Sequence, residues 1–160
     1  MAAALLIAVL AAAAPVFARL SEDWFGIAPC VLCLWQRWPY WAAAGLALLA
    51  AILRPGRRPL LVLAGLAALT SGAVAGFHVG VEQGWWPSPL PGCVPPRAGA
   101  PVASVDDLMR SLAPAPTKAC DAPTYLIPGL PLSMAAMNLL YALGLGGLAI
   151  IWAAGRGAAR

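Results

Sequence analysis

Residues 2–18 contain no charged side chain. A helix of that length just crosses the roughly 30 Å hydrocarbon layer of a bilayer. Comparable runs recur at 38–53, 60–81 and 132–153, where His78 is the sole titratable exception apart from tyrosine. The composition agrees, with 62% hydrophobic and 10% charged residues, well outside the range of a soluble domain. The pattern predicts an all-α membrane protein. Its architecture would be a four-transmembrane-helix bundle, a single integral-membrane domain over 1–160 embedded in a lipid bilayer. The net charge of +4 does not indicate a nucleic-acid partner. No basic stripe interleaved with aromatics is present, and the charges fall between the apolar runs.

The first run has a rival reading. Val16-Phe17-Ala18 fits a small-residue cleavage site behind an apolar stretch, as in a signal peptide. No Lys or Arg precedes the run, which favours a retained helix. It starts at Met1 without a polar tail, as expected of a chain shortened at its N-terminus. In either case the following residues lie on the same side of the membrane.

The breaks between runs carry the topology. The turn at 54–59 and the tail hold five arginines and no acid, namely Arg54, Arg57, Arg58, Arg156 and Arg160. The segments at 19–37 and 82–131 hold all six acids, Glu22, Asp23, Glu82, Asp106, Asp107 and Asp121. The positive-inside rule then makes 54–59 and both termini cytoplasmic, with 19–37 and 82–131 as outer loops. The second of these contains 11 of the 16 prolines, so it cannot hold a span. Within it, Val102, Val105, Leu108, Met109 and Leu112 recur at helical spacing, which predicts a short amphipathic helix over 102–112. Trp35, Trp38, Tyr40 and Trp41 read as an interfacial belt, as do Trp85 and Trp86. Gly72, Gly76 and Gly80 suit close helix approach, as do Ala43, Ala47 and Ala51, and Asn138 suits an interhelical hydrogen bond.

All four cysteines fall in the two outer loops. Cys30 and Cys33 are three apart, within range of a disulfide across one helical turn. Arg37 lies four residues beyond Cys33, on the same face of a helix, where its charge favours the reactive thiolate. A first-turn position would add the helix dipole to that effect. Three uses of the cysteines compete. Two structural disulfides would explain Cys93 and Cys120, since a bridge across so long a loop contributes roughly 3 kcal/mol, but they would not explain Cys30 and Cys33. A four-cysteine zinc site normally pairs two close-spaced knuckles, and only one exists here, so no metal is expected. A thiol–disulfide relay would use both pairs, passing electrons from a soluble dithiol protein to a lipid-soluble acceptor. His78, an ionisable side chain at the end of a span, is a functional candidate. The alternative for it is an interfacial histidine bonded to a carbonyl or headgroup.

The stretch Cys30-Val31-Leu32-Cys33-Leu34-Trp35-Gln36-Arg37 resembles the signature of the DsbB family, the bacterial disulfide-bond formation proteins B. So does Pro128-Gly129-Leu130-Pro131-Leu132-Ser133-Met134 leading into the last run, with Asn138 after it. The resemblance covers essentially the whole chain. It implies redox disulfides Cys30–Cys33 and Cys93–Cys120, and an enzyme of the bacterial inner membrane with its cysteine loops periplasmic. Such an enzyme reoxidises a periplasmic DsbA-type thiol oxidase and reduces ubiquinone or menaquinone. It also implies that Cys93 meets the partner, that Cys120 resolves the mixed disulfide and attacks Cys30, and that Cys33 faces the quinone. Arg37 and His78 would bind that quinone. Gln36 stands where some members have glutamate, which argues against a proton role there. A paralogue serving a dedicated partner, or a non-catalytic scaffold with two disulfides, would share much of this pattern.

Overall fold

The structure is a computed structural model, and it describes residues 1–53, 55–88, 90, 93, 105, 118–127 and 129–155. Among the described residues five helices are delimited: α1 (Ala2–Phe25), α2 (Val31–Trp35), α3 (Arg37–Ile52), α4 (Arg57–Glu82) and α5 (Met134–Gly155). No strand occurs among the described residues. The helix expected over 102–112 lies outside them, apart from Val105.

Three helices, α1, α4 and α5, are long and apolar enough to cross a membrane. α3 has 16 residues, or about 24 Å at 1.5 Å per residue, and is shorter. It nevertheless packs between α1 and α4, while α4 also lies along α5. Alanine makes this close association possible. Ile7, Ala8 and Ala11 of α1 meet Tyr40, Ala43 and Ala47 of α3, Ala64 and Ala68 of α4, and Ala142, Leu145 and Ala149 of α5. Without a hydrophobic driving force inside lipid, close van der Waals contact between small residues holds such helices together. One close backbone approach is at a glycine that the sequence pattern did not single out. A methyl group on Gly65 would lie 2.9 Å from the carbonyl oxygen of Gly146. Gly72 faces Ala142 of α5 in a similar way. Gly80 serves a different purpose: its missing side chain makes room for the Trp86 indole.

Two boundaries differ from the sequence reading and shape the outer end. Residues 19–25, expected in a loop, extend α1 until Gly26 ends it in the left-handed conformation (φ 62°). Nothing before Gly26 interrupts the helix. Ser21 hydrogen-bonds back to the Phe17 carbonyl and Arg19 pairs with Glu22 within the same turns. The second correction is that α3 begins at Arg37, and a separate turn, α2, carries Cys33. Pro39 explains the break, because a proline ring crowds the carbonyl four residues back and supplies no N–H. The interruption falls at Gln36, whose carbonyl accepts a hydrogen bond from Ser71 Oγ at 2.7 Å instead.

Candidate active site

The outer end of the bundle gathers residues scattered through the sequence. Cys30 is the N-cap of α2, in extended backbone (φ −91°, ψ 170°), and its sulfur accepts the backbone N–H of Cys33 at 3.2 Å. The two sulfurs lie 2.8 Å apart and are not bonded, so this pair is a dithiol. Cys93 and Cys120 are joined by a disulfide. All four cysteines share one buried cluster with Leu32, Val81, Phe77 and Leu90.

His78 sits between the two pairs. Its Nε2 is 3.6 Å from Cys30 Sγ and 3.2 Å from the Cys120 carbonyl oxygen. Both alternatives raised by the sequence are therefore partly met, since the imidazole contacts a carbonyl and also a thiol. A hydrogen-bonded chain sets its tautomer. Tyr40 Oη donates to Asn138 Oδ1 at 2.7 Å, and Asn138 Nδ2 donates to Gln36 Oε1 at 2.8 Å. That leaves the Gln36 amide N–H to donate to His78 Nδ1 at 3.0 Å. In this assignment Nδ1 accepts, so Nε2 carries the proton and donates it to the Cys120 carbonyl.

The dithiol holds one proton unequally. The hydrogen bond from Cys30 pushes the Cys33 thiol down to about 4, against burial, with His78 assisting. The same bond, together with burial, pushes Cys30 up. Cys33 is thus the thiolate and the nucleophile of the pair.

A cavity of about 410 Å³ opens beside this pair, lined by Cys33, Arg37, Tyr40, His78, Glu82 and Asn138 among others. Arg37 pairs through one terminal nitrogen with Glu22 of α1. Its Nε is buried and has no hydrogen-bond partner. A buried donor without a partner carries the full cost of desolvation. Glu82, one turn after His78, is also buried, with Ser133 Oγ donating to one carboxylate oxygen and His78 Nε2 3.9 Å from the other.

Comparison with known proteins bears on the family of the chain. The profile of the family described as disulfide bond formation protein DsbB matches residues 1–152. The chain belongs to the DsbB family. Disulfide bond formation protein B of Chromobacterium violaceum is 39% identical to it over 95 residues, which are 59% of this chain and 55% of that protein. The chain therefore spans about half the length of that relative. No solved structure matches.

In this DsbB-family chain the six residues singled out from the sequence converge. Cys30, Cys33, Cys93, Cys120 and His78 are neighbours, and Arg37 lines the same cavity as His78. The Cys30–Cys33 bond expected from the resemblance is open here, and the Cys93–Cys120 bond is closed. Sequence reasoning missed Glu82 and Glu22, which it used only as topology markers. The i,i+4 spacing of His78 and Glu82 was a usable signal for the first. Nothing local marked Glu22 as the partner of Arg37. Tyr40, assigned to the interfacial belt, is instead buried, whereas Trp35, Trp38 and Trp41 face outward.

Proposed function

We propose that the chain is a membrane thiol:quinone oxidoreductase that reoxidises a periplasmic DsbA-type dithiol protein and passes the electrons to ubiquinone or menaquinone. The observation that carries this reading is His78 placed between an open dithiol and a closed disulfide, at the wall of a cavity that Arg37 also lines. The topology that goes with it counts α3 as a fourth span, with 54–59 and both termini cytoplasmic and the cysteines outside.

The thiol chemistry follows from the residues. A thiolate of the reduced partner attacks Cys93, and Cys120 leaves as thiolate, giving a mixed disulfide. The partner's second thiol closes its own disulfide and frees Cys93. Exchange between Cys120 and the Cys30–Cys33 disulfide then re-forms Cys93–Cys120 and leaves Cys30 and Cys33 reduced. This is the redox state of the structure, one bond closed and one pair open. Two electrons and the one proton held by Cys30 then leave the pair as the Cys30–Cys33 bond forms. A bound quinone would supply the oxidising power for that step, taking up this proton and a second one from water. DsbA-type proteins stand at about −120 mV, so an ordinary structural disulfide cannot drain them.

The protein's own contribution is positional. The Cys33 thiolate faces the cavity beside Arg37, whose guanidinium charge at the cavity wall would attract a quinone carbonyl oxygen. Glu22 holds the guanidinium from α1. The Gln36–Asn138–Tyr40 chain keeps His78 presenting its Nε2–H to the sulfur cluster. Glu82 and Ser133 place a carboxylate at the same wall, within reach of a proton leaving the pair.

The test is a turnover assay with purified protein in detergent, a reduced DsbA-type partner and a soluble ubiquinone analogue. One quinone should be consumed for every two partner thiols, and none in Cys33→Ser. No consumption of any quinone by the unaltered protein would overturn the reading.

A further inference from the structure

We infer that the reduced Cys30–Cys33 pair and His78 form a binding site for a thiolate-preferring metal cation, with Zn²⁺ the biological case. The sequence argued against a metal because four cysteines lacked zinc spacing. The fold changes the donor set: Cys93 and Cys120 are consumed in a disulfide, and an imidazole joins the remaining pair.

Three ligand atoms, Cys30 Sγ, Cys33 Sγ and one His78 ring nitrogen, lie within 4.8 Å of one another. Zinc takes Cys sulfur at about 2.3 Å and His nitrogen at about 2.0–2.1 Å in a tetrahedron, which puts a sulfur–nitrogen edge near 3.6 Å and a sulfur–sulfur edge near 3.8 Å. The observed Cys30 Sγ to His78 Nε2 separation is 3.6 Å. The sulfurs, at 2.8 Å, must open by about 1 Å. Cys33 can make that movement because it borders the cavity and is only partly buried. Cys30 is already held by the Cys33 N–H, which keeps its lone pairs turned inward. A fourth position remains for water from the cavity or for the Glu82 carboxylate, 3.9 Å from His78 Nε2.

The surrounding hydrogen bonds allow the required tautomer. Metal binding at Nε2 moves the imidazole proton to Nδ1, which must then donate. Gln36 meets this by turning its amide so that Oε1 faces Nδ1, and Asn138 turns with it while the Tyr40 hydroxyl becomes an acceptor. Such partners hold metal-binding imidazoles in place, and losing one costs about 10- to 100-fold in affinity.

The consequence rests on the function proposed above. A metal held by both thiolates prevents the Cys30–Cys33 bond from closing, so the cation arrests the enzyme in its reduced state until a chelator removes it. A disulfide-closed pair offers no thiolate, so the oxidised protein is indifferent to the metal.

The binding test needs neither quinone nor partner. Full-length protein carrying Cys93→Ser and Cys120→Ser is reduced in detergent and titrated with Cd²⁺, following the sulfur-to-cadmium absorption band. One Cd²⁺ per chain is expected. None should bind after the Cys30–Cys33 pair is oxidised. Gln36→Leu should lose about 10- to 100-fold in affinity, and His78→Gln at least as much. No binding to the reduced protein, or affinity in His78→Gln and Gln36→Leu undiminished from that of the parent carrying only the Cys93→Ser and Cys120→Ser changes, would overturn the inference. Because quinone turnover is measured separately, a protein that binds Cd²⁺ without turning over quinone refutes only the proposed function. A protein that turns over quinone but ignores Cd²⁺ and Zn²⁺ refutes only the metal site.

Discussion

The two cysteine pairs share one buried cluster yet are built differently. Cys30 and Cys33 sit on one helical turn, with a backbone N–H and an imidazole at their sulfurs and a cavity beside them. Cys93 and Cys120 are 27 residues apart in sequence, and their bond closes a long ring of chain. Closing the short ring removes little chain entropy, so the first pair contributes little to stability as a disulfide. It is shaped for a change of redox state. The second pair closes a long ring, and the His78 contact with the Cys120 carbonyl brings it beside the first. Under the proposed function, the same kind of bond would constrain the chain at one pair and change redox state at the other, with the local environment of the sulfur deciding which use dominates.

The contrast can be tested most severely by removing one sulfur from each pair. Cys33→Ser should abolish quinone reduction while the circular dichroism of the helices stays unchanged. Cys93→Ser should abolish exchange with the partner and leave alkylation of Cys33 in the reduced protein unaffected. It should also weaken the loop by roughly 3 kcal/mol, read as easier proteolysis of 94–119. If Cys33 alkylation slowed in Cys93→Ser as much as partner exchange, the two pairs would be one structural unit and the distinction would fail.

The next effect concerns protonation. An ordinary thiol ionises near 8.5, whereas the Cys30 hydrogen bond holds Cys33 down to about 4. A depressed value means that the thiolate persists as pH falls and is lost only on approaching that value. Iodoacetamide labelling of Cys33 in the reduced protein should therefore stay level from pH 8 to pH 5. Labelling that falls tenfold per pH unit across this window would show an unassisted thiol.

Smaller changes probe the supports. Arg37→Met removes the guanidinium charge and should raise the apparent KM for quinone about tenfold, in line with a charge-assisted hydrogen bond, with partner exchange unchanged. Asn138→Ala breaks the chain from Tyr40 to Gln36. It should lower bundle stability by about 0.6–1.7 kcal/mol, the range of interhelical hydrogen bonds in membranes, measured by unfolding in mixed micelles.

Much of the fold was legible because the bilayer imposes one strong rule, that long uncharged runs become helices. The runs at 2–18, 60–81 and 132–153 reappear within α1, α4 and α5, with boundaries moved by a few residues at most ends. The larger miss, the extension of α1 to Phe25, arose because polar residues 19–25 carry no helix breaker, and polarity alone was read as a loop. The break at Gln36 follows from Pro39, three residues later, and was visible in principle. The site was legible only as a set of chemically suggestive residues.

The sequence by itself determined the helical membrane class, the cysteine count and spacing, and the arginine four residues past Cys33, because these depend on local composition and periodicity. Only the tertiary structure decided what each of these residues touches. Glu22 reaches Arg37, Glu82 meets Ser133, and Gln36 joins Asn138 across 102 positions, because separate helices end at the same level of the bundle. No local pattern encodes such contacts. They arise when close association of alanine-rich faces places the remaining polar groups beside one another, and a buried polar group must then find its partner there.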